Sequence, residues 1–126
     1  MSFRTPRARA AWLGTAHGGT HHWTQINLTG ILLVPLTVLF IFPFAGALGS
    51  SHEEVLEIYR SPFNAIVAAL FIGVAFHHLY QGLQVVIEDY VHHKGWLVGA
   101  LVANALVCGA AGFAGVFSVL KIAFTA

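Results

Sequence analysis

Three long apolar stretches, separated by short clusters of charged residues, dominate the sequence. No Asp, Glu, Lys or Arg occurs between Arg9 and Glu53, over 61–87 or over 95–120. A helix of about 20 residues crosses the hydrocarbon core of a bilayer, and each stretch is longer than that. Because a backbone in lipid must satisfy its own hydrogen bonds, helices are favoured over open strands. The pattern predicts an all-α membrane protein with three transmembrane helices, at about 26–49, 63–87 and 97–120.

Residues 1–126 are therefore expected to form a single membrane domain, with residues 1–25 as an N-terminal segment ahead of the first span. Pro35 and Pro43 lie inside the first span and predict a local bend, because prolines usually kink membrane helices. Pro62 suits the first turn of the second helix, where its missing N–H has no intrahelical partner to lose.

The basic residues predict how the spans are oriented. Lys94 lies between the second and third spans, and three arginines precede the first span: Arg4, Arg7 and Arg9. Since Lys and Arg concentrate on the cytoplasmic side, the N-terminus and the second loop are expected there, with the 50–62 loop and the C-terminus outside. The first apolar stretch is too long for a signal-peptide core. We therefore expect an uncleaved chain in a bacterial inner membrane, in preference to a mitochondrial transit peptide.

The composition excludes several classes of protein. Charged residues make up 9% of the chain, against about 25% in a typical soluble domain. A soluble enzyme, a disordered tail and a nucleic-acid module are therefore excluded. Cys108 is the single cysteine, so the chain has no internal disulfide framework and no thiolate cluster. The eight histidines are unusual, because they outnumber the six Lys and Arg residues.

Small residues recur at four-residue spacing in the third span. The pairs are Ala105 and Gly109, Cys108 and Gly112, and Ala111 and Gly115. Such spacing lets membrane helices approach closely. We therefore expect the three-helix chain to pack against another membrane subunit.

Two adjacent histidines lie deep in the second span. His78 precedes Asp89 by eleven residues, which places it about 16 Å deeper along the helix. Ionisable residues at such depth are expensive and are candidates for function. An imidazole that binds iron through one nitrogen and donates a hydrogen bond from the other avoids the cost. A histidine hydrogen-bonded to a neighbouring helix is the structural alternative. His77 and His78 are about 100° apart, so both cannot bind one iron.

The end of the second span carries Glu88, Asp89 and Tyr90. These residues could simply anchor the helix at the interface, where tyrosine is enriched. They could also bind a quinone, which needs hydrogen-bond donors for its carbonyl oxygens and a proton source on reduction. A phenol supplies the donor, and an adjacent carboxylate can orient it or relay protons.

The second span resembles the D-type membrane anchor of succinate dehydrogenase. The matching residues are His78, Gly82, Gln84, Asp89 and Tyr90. The first span adds a weaker match through His22-Trp23, Thr29-Gly30-Ile31 and Pro35-Leu36. The resemblance covers about residues 20–95, together with the three-helix topology.

The resemblance implies a membrane anchor that pairs with a C-type anchor subunit and holds the flavoprotein and iron–sulfur subunits at the membrane. It implies a haem b between the two anchors, with His78 as one axial ligand of the iron, and electron transfer from succinate to ubiquinone. Tyr90 is similar to the family's quinone-binding tyrosine, and Asp89 to its acidic neighbour. The cytoplasmic position of both, expected from charge alone, agrees with the side on which the catalytic subunits dock.

The sequence departs from the family pattern at Asn27, where many members have an arginine. An arginine there could pair with haem propionates or polarise the quinone pocket. His21, His22 or the partner subunit could supply this positive charge instead. His22 and Asn27 are therefore candidates for the surroundings of the haem or the quinone.

Two other functions fit parts of the pattern. One is a cytochrome b-type subunit of another membrane redox complex, such as a hydrogenase or a formate dehydrogenase. The other is a small transporter or structural assembly subunit. In a transporter, one stripe of polar residues could line a proton or metal path; its members are His77, Gln81, Gln84 and Glu88.

Overall fold

Four helices make up the part of the chain that the structure, a computed structural model, describes, which is residues 19–125. They are α1 (Gly19–Ala47), α2 (His52–Arg60), α3 (Pro62–Tyr90) and α4 (Lys94–Phe124). The three long helices, α1, α3 and α4, are each long and apolar enough to cross a membrane. The all-α class and the three spans predicted from the sequence are thus confirmed. The predicted N-terminal segment lies mostly outside the described residues.

The long helices extend beyond the predicted spans. α1 begins at Gly19 instead of near 26, and α3 continues through Glu88 and Asp89 to Tyr90. The predicted spans include only the charge-free residues that suit the hydrocarbon core, whereas the helical backbone continues into the polar interface. α1 remains one helix through Pro35 and Pro43. Pro62 occupies the first turn of α3, as predicted.

The segment predicted as the 50–62 loop contains the short helix α2. A capping box starts it: Glu54 N–H donates to Ser51 Oγ at 3.4 Å, and Ser51 N–H donates to Glu54 Oε2 at 2.8 Å. The Ser-x-x-Glu signature for this motif is present in the sequence. Tyr59 is the buried residue of α2, and its burial raises the pKa of the phenol, which stays neutral. α2 packs against all three long helices at one end of the bundle.

α3 is the central helix, because it packs against both α1 and α4. Its contact with α4 uses the small residues of the third span. A Cβ built on Gly112 would lie 3.0 Å from Phe76 Cβ, and one built on Gly115 would lie 2.9 Å from Ile72 Cγ2. Cys108 is also buried. Part of the stripe predicted to meet another subunit therefore packs against α3 of the same chain.

We expect Gly112→Ala to destabilise the bundle by about 1–3 kcal/mol, the range for overpacking a tight core. The new methyl group meets Phe76 Cβ, which can move only with the backbone. Gly109→Ala is the matched control on the same helix, since a Cβ at Gly109 has no neighbour within 4 Å. Thermal unfolding in detergent compares the two variants. Equal melting temperatures for both would contradict the close approach of α3 and α4.

The outer surface of the bundle is apolar. Large side chains such as Phe42 (72% exposed) and Phe113 (74% exposed) are largely uncovered. The buried residues include the polar Gln81 and Asn104. Such a surface suits hydrocarbon and other membrane helices, and the chain is a multi-pass membrane protein.

Candidate functional site in the membrane span

A chain of polar side chains joins α1 and α3 in the half of the bundle where α1 begins and α3 ends. The Oγ1 of Thr29 lies 2.8 Å from Nδ1 of His78 and 3.2 Å from Oε1 of Gln81. Gln81 Nε2 donates to Gln25 Oε1 at 3.3 Å. Gln81 is only 2% exposed, and His78 is half-buried. About one turn of each helix thus contributes to one hydrogen-bonded cluster.

Helical periodicity explains why these residues meet. Gln25 and Thr29 are four residues apart on α1, and His78 and Gln81 are three apart on α3, so each pair shares a face. The two helices run antiparallel, since Gln25 contacts Gln81 and Thr29 contacts His78. Toward the end of α1 in the same interface, the rings of Phe40 and Phe71 stack with centroids 4.4 Å apart. The polar cluster is therefore set in an otherwise apolar contact.

Gln25 and Gln81 were not predicted as neighbours of His78, and Thr29 was predicted only as part of a motif. A signal was present, because Gln25 and Thr29 stand at helical spacing near the start of an apolar span. Polar residues that share one face of such a span usually find partners on another helix. The partner helix could not be read from that spacing.

His77 and His78 face different neighbours, as the angle between them predicts. His77 is exposed and lines a groove of about 400 Å³ between α3 and α4. Its ring stacks on Tyr80 with centroids 6.4 Å apart. His78 instead contacts α1. Gln81 lies with His78, so the polar stripe proposed for a transporter is divided between two surfaces.

A second buried polar contact joins α3 to α4. The amide of Asn104 donates to the Tyr80 carbonyl oxygen at 3.0 Å, and the Cys108 thiol donates to Asn104 Oδ1 at 3.3 Å. Asn104 is 7% exposed. Both polar ends of its amide are thus hydrogen-bonded, which removes the cost of burying them. Asn104 and Cys108 thus stabilise the contact between α3 and α4.

Asp89 and Tyr90 end α3 and are both exposed, Tyr90 by 79%. The carbonyl oxygen of Tyr90 lies 3.1 Å from His92 Nδ1. Glu88 accepts a hydrogen bond from Gln84 Nε2 at 2.9 Å, one helical turn away. Asp89 and Tyr90 are thus close in space to each other and open to a partner, while Glu88 is engaged within α3.

The two α1 candidates have different surroundings. Asn27 is exposed, and its amide donates to the Trp23 carbonyl oxygen of its own helix at 2.8 Å. It lies about 200° around the helix from both Gln25 and Thr29, away from α3. His22 is half-buried, and its Nε2 is buried with no hydrogen-bond partner among the described residues. His22 is therefore a polar group that the described residues leave unsatisfied.

Within residues 19–125, no three His, Cys, Asp or Glu side chains come together in a way that could hold a metal ion.

Comparisons with known proteins agree with this architecture. Residues 1–119 match the family model described as "Succinate dehydrogenase/Fumarate reductase transmembrane subunit". The succinate dehydrogenase hydrophobic membrane anchor subunit of Paracoccus denitrificans is 39% identical over 90 residues, which cover 71% of this chain and 70% of that protein. The subunit of the same name from Rickettsia conorii is 31% identical over 94 residues, covering 73% and 75%.

No solved structure matches the chain. Three apolar helices, the motif from His78 to Tyr90 and these relatives together lead to one conclusion. The chain belongs to the succinate dehydrogenase/fumarate reductase transmembrane subunit family, as a hydrophobic membrane anchor subunit of succinate dehydrogenase.

Proposed function

We propose that this chain holds the flavoprotein and iron–sulfur subunits at the membrane, donates the axial His78 to a haem b and helps to form the ubiquinone reduction site. The observation that carries the haem role is the half-buried His78 ring, held at Nδ1 by Thr29 across 2.8 Å. A ligand histidine usually has its second nitrogen occupied in this way, which fixes the orientation of the ring.

The surroundings of His78 fit a flat macrocycle. Gly30 lies beside the ring, and a Cβ built there would come within 3.5 Å of His78 Cε1. Gly82, one turn along α3, has no side chain and no other helix within 4 Å of the position of its missing Cβ. Glycine at position 30 thus lets α1 approach the imidazole, and glycine at position 82 leaves the space along α3 clear of side chains. A b-type haem bound there would accept and return single electrons.

A second chain must supply what this one lacks. Bis-histidine ligation needs a second axial ligand, and His77 faces the groove with α4 instead of the side of His78. The proposal therefore includes a C-type anchor subunit that donates the other histidine. The exposed apolar faces of α1 and α4 leave room for such a partner.

Tyr90 and Asp89 are the proposed quinone-site residues. The Tyr90 phenol would donate a hydrogen bond to a quinone carbonyl oxygen, and the Asp89 carboxylate would orient the phenol or relay a proton. Their exposure suits a site completed by another subunit. His22 and Asn27 begin the adjacent helix at the same end of the bundle. They remain candidates for contacts with the haem or the quinone.

The proposed location is a bacterial inner membrane, with the N-terminus in the cytoplasm. The arginines ahead of α1 and the single Lys94 between α3 and α4 support this orientation. It brings Asp89 and Tyr90 to the cytoplasmic side, where soluble catalytic subunits can reach them.

Deleting the gene tests the anchor role. We expect the succinate-oxidising activity, assayed with a soluble dye, to move from the membrane fraction to the soluble fraction. Succinate-dependent reduction of ubiquinone in membranes should be lost at the same time. A plasmid copy of the chain should restore both. Dye-linked activity that stays on the membranes without this chain would contradict the proposal.

A further inference from the structure

We infer that Thr29 and Gln81 act together to select the tautomer of His78 that carries its proton on Nδ1. This leaves the Nε2 lone pair free to bind iron. The inference rests on the proposed role of His78 as haem ligand, and it makes Thr29 and Gln81 positioning residues for that ligand. Gln81 is the most deeply buried polar residue of the cluster.

Burial fixes what the Gln81 amide requires. Gln81 is 2% exposed, so water does not satisfy its polar atoms. Its Nε2 donates to Gln25 Oε1, and its Oε1 points at Thr29 Oγ1 across 3.2 Å. An amide oxygen can only accept, so it needs a proton from Thr29. Leaving such a buried acceptor unpaired costs about 1–3 kcal/mol.

The Thr29 hydroxyl has one proton and several acceptors around it. Besides Gln81 Oε1, the carbonyl oxygens of Gln25 and Ile26 lie 3.0 and 2.9 Å from Thr29 Oγ1. If Gln81 Oε1 takes the proton, as its burial requires, none remains for His78. The hydroxyl oxygen still has a lone pair with which to accept one hydrogen bond.

The contact between Thr29 Oγ1 and His78 Nδ1, at 2.8 Å, must therefore receive its proton from the imidazole. A neutral imidazole carries one N–H, so a proton on Nδ1 leaves Nε2 with its lone pair. The opposite tautomer would leave Gln81 Oε1 without a donor and would put a proton on the nitrogen needed for iron. Through the Thr29 hydroxyl, the buried Gln81 thus favours the tautomer of His78 that can bind iron.

The same hydrogen bond tunes the ligand. An acceptor on the Nδ1–H makes the imidazole more basic, and a more basic ligand favours ferric over ferrous iron. Removing the Thr29 hydroxyl should therefore raise the midpoint potential of the haem. A tenfold loss of the preference for ferric iron corresponds to about 59 mV for one electron.

The test is a redox titration of the haem in the complete complex, purified through a tagged copy of this chain. Thr29→Val removes the hydroxyl and keeps the branched shape. Thr29→Ser keeps the hydroxyl. Thr37→Val is the matched control, because the Thr37 hydroxyl donates to the Leu33 carbonyl oxygen of its own helix. We expect the potential to rise by about 59 mV in Thr29→Val, and to stay at the wild-type value in the other two variants.

Each remaining outcome has a meaning. Haem lost from Thr29→Val but retained in Thr29→Ser and Thr37→Val also supports the inference, because the hydroxyl is then what the ligand requires. A wild-type potential in Thr29→Val overturns it, as does an equal change in Thr29→Ser. Gln81→Leu should shift the potential in the same direction by a smaller amount, since the helix carbonyls can still take the Thr29 proton. No shift there removes the part assigned to Gln81.

The wild-type complex separates this inference from the proposed function. If that complex contains no haem, the haem role of His78 fails. If it contains haem that His78→Ala loses, while Thr29→Val leaves the potential unchanged, the haem role stands and only the role of Thr29 fails.

Discussion

Replacing His78 by alanine should abolish haem binding while the membrane complex still assembles. The substitution removes the proposed axial ligand that this chain supplies, since alanine has no nitrogen to bind the iron. We expect haem content per flavin to fall at least tenfold in the purified complex. Haem is measured by the pyridine haemochrome assay, and its amount is divided by the amount of flavin in the same preparation.

His77→Ala is the control, because it removes an adjacent imidazole at nearly the same depth. Its side chain lines the groove between α3 and α4 and stacks on Tyr80, so its loss should leave the haem content unchanged. Haem lost from His77→Ala and retained in His78→Ala would transfer the ligand role to His77. It would also contradict the inference that Thr29 positions the haem ligand.

Replacing Tyr90 by phenylalanine should impair quinone reduction specifically. The change removes the phenol hydroxyl and leaves an exposed aromatic ring at the end of α3. A hydrogen bond to a group that gains negative charge contributes about 1.5–3 kcal/mol. Since each 1.36 kcal/mol is tenfold in rate, succinate-dependent ubiquinone reduction should fall about 10- to 100-fold.

Electron transfer from succinate to a soluble dye is the internal control, and it should be unaffected by Tyr90→Phe. Tyr80→Phe is the matched variant on the same helix, where the ring lies in the groove with α4. It should reduce quinone at the wild-type rate. Equal losses with dye and quinone in Tyr90→Phe would indicate poor docking of the catalytic subunits and would count against a quinone contact.

The spans could be predicted because lipid imposes a strong and simple constraint. The charge-free stretches before Glu53 and after Arg60 were enough to place the first two of them. The ends were less accurate, since α3 continues through Glu88 and Asp89 into the interface. α2 was missed, although Ser51 and Glu54 carry the signature of its capping box.

The candidate site was predictable only where one helix determines it. The spacing from His78 to Tyr90, and the different directions of His77 and His78, follow from the geometry of α3 alone. The contacts of His78 with Thr29 and of Gln81 with Gln25 depend on how α1 slides along α3. That register is set by the whole helix interface, down to the stacked Phe40 and Phe71 rings, and no local pattern specifies it.

The helix that packs on the small residues of α4 could not be predicted either. The small residues of α4 predicted a close helix contact, and Gly112 makes one with Phe76. The spacing alone does not say which helix comes close, because glycine lets any neighbouring helix approach. Here α3 of the same chain occupies that position, while Gly109 faces open space.

An absorption spectrum of the tagged wild-type chain, purified in mild detergent, tests the haem and anchor roles together. The measured quantity is the difference between the dithionite-reduced and the oxidised spectrum. We expect a b-type haem spectrum in a preparation that also contains the flavoprotein, the iron–sulfur subunit and a second small membrane subunit. A preparation with all these partners and no haem spectrum would contradict the role of His78 as an axial ligand.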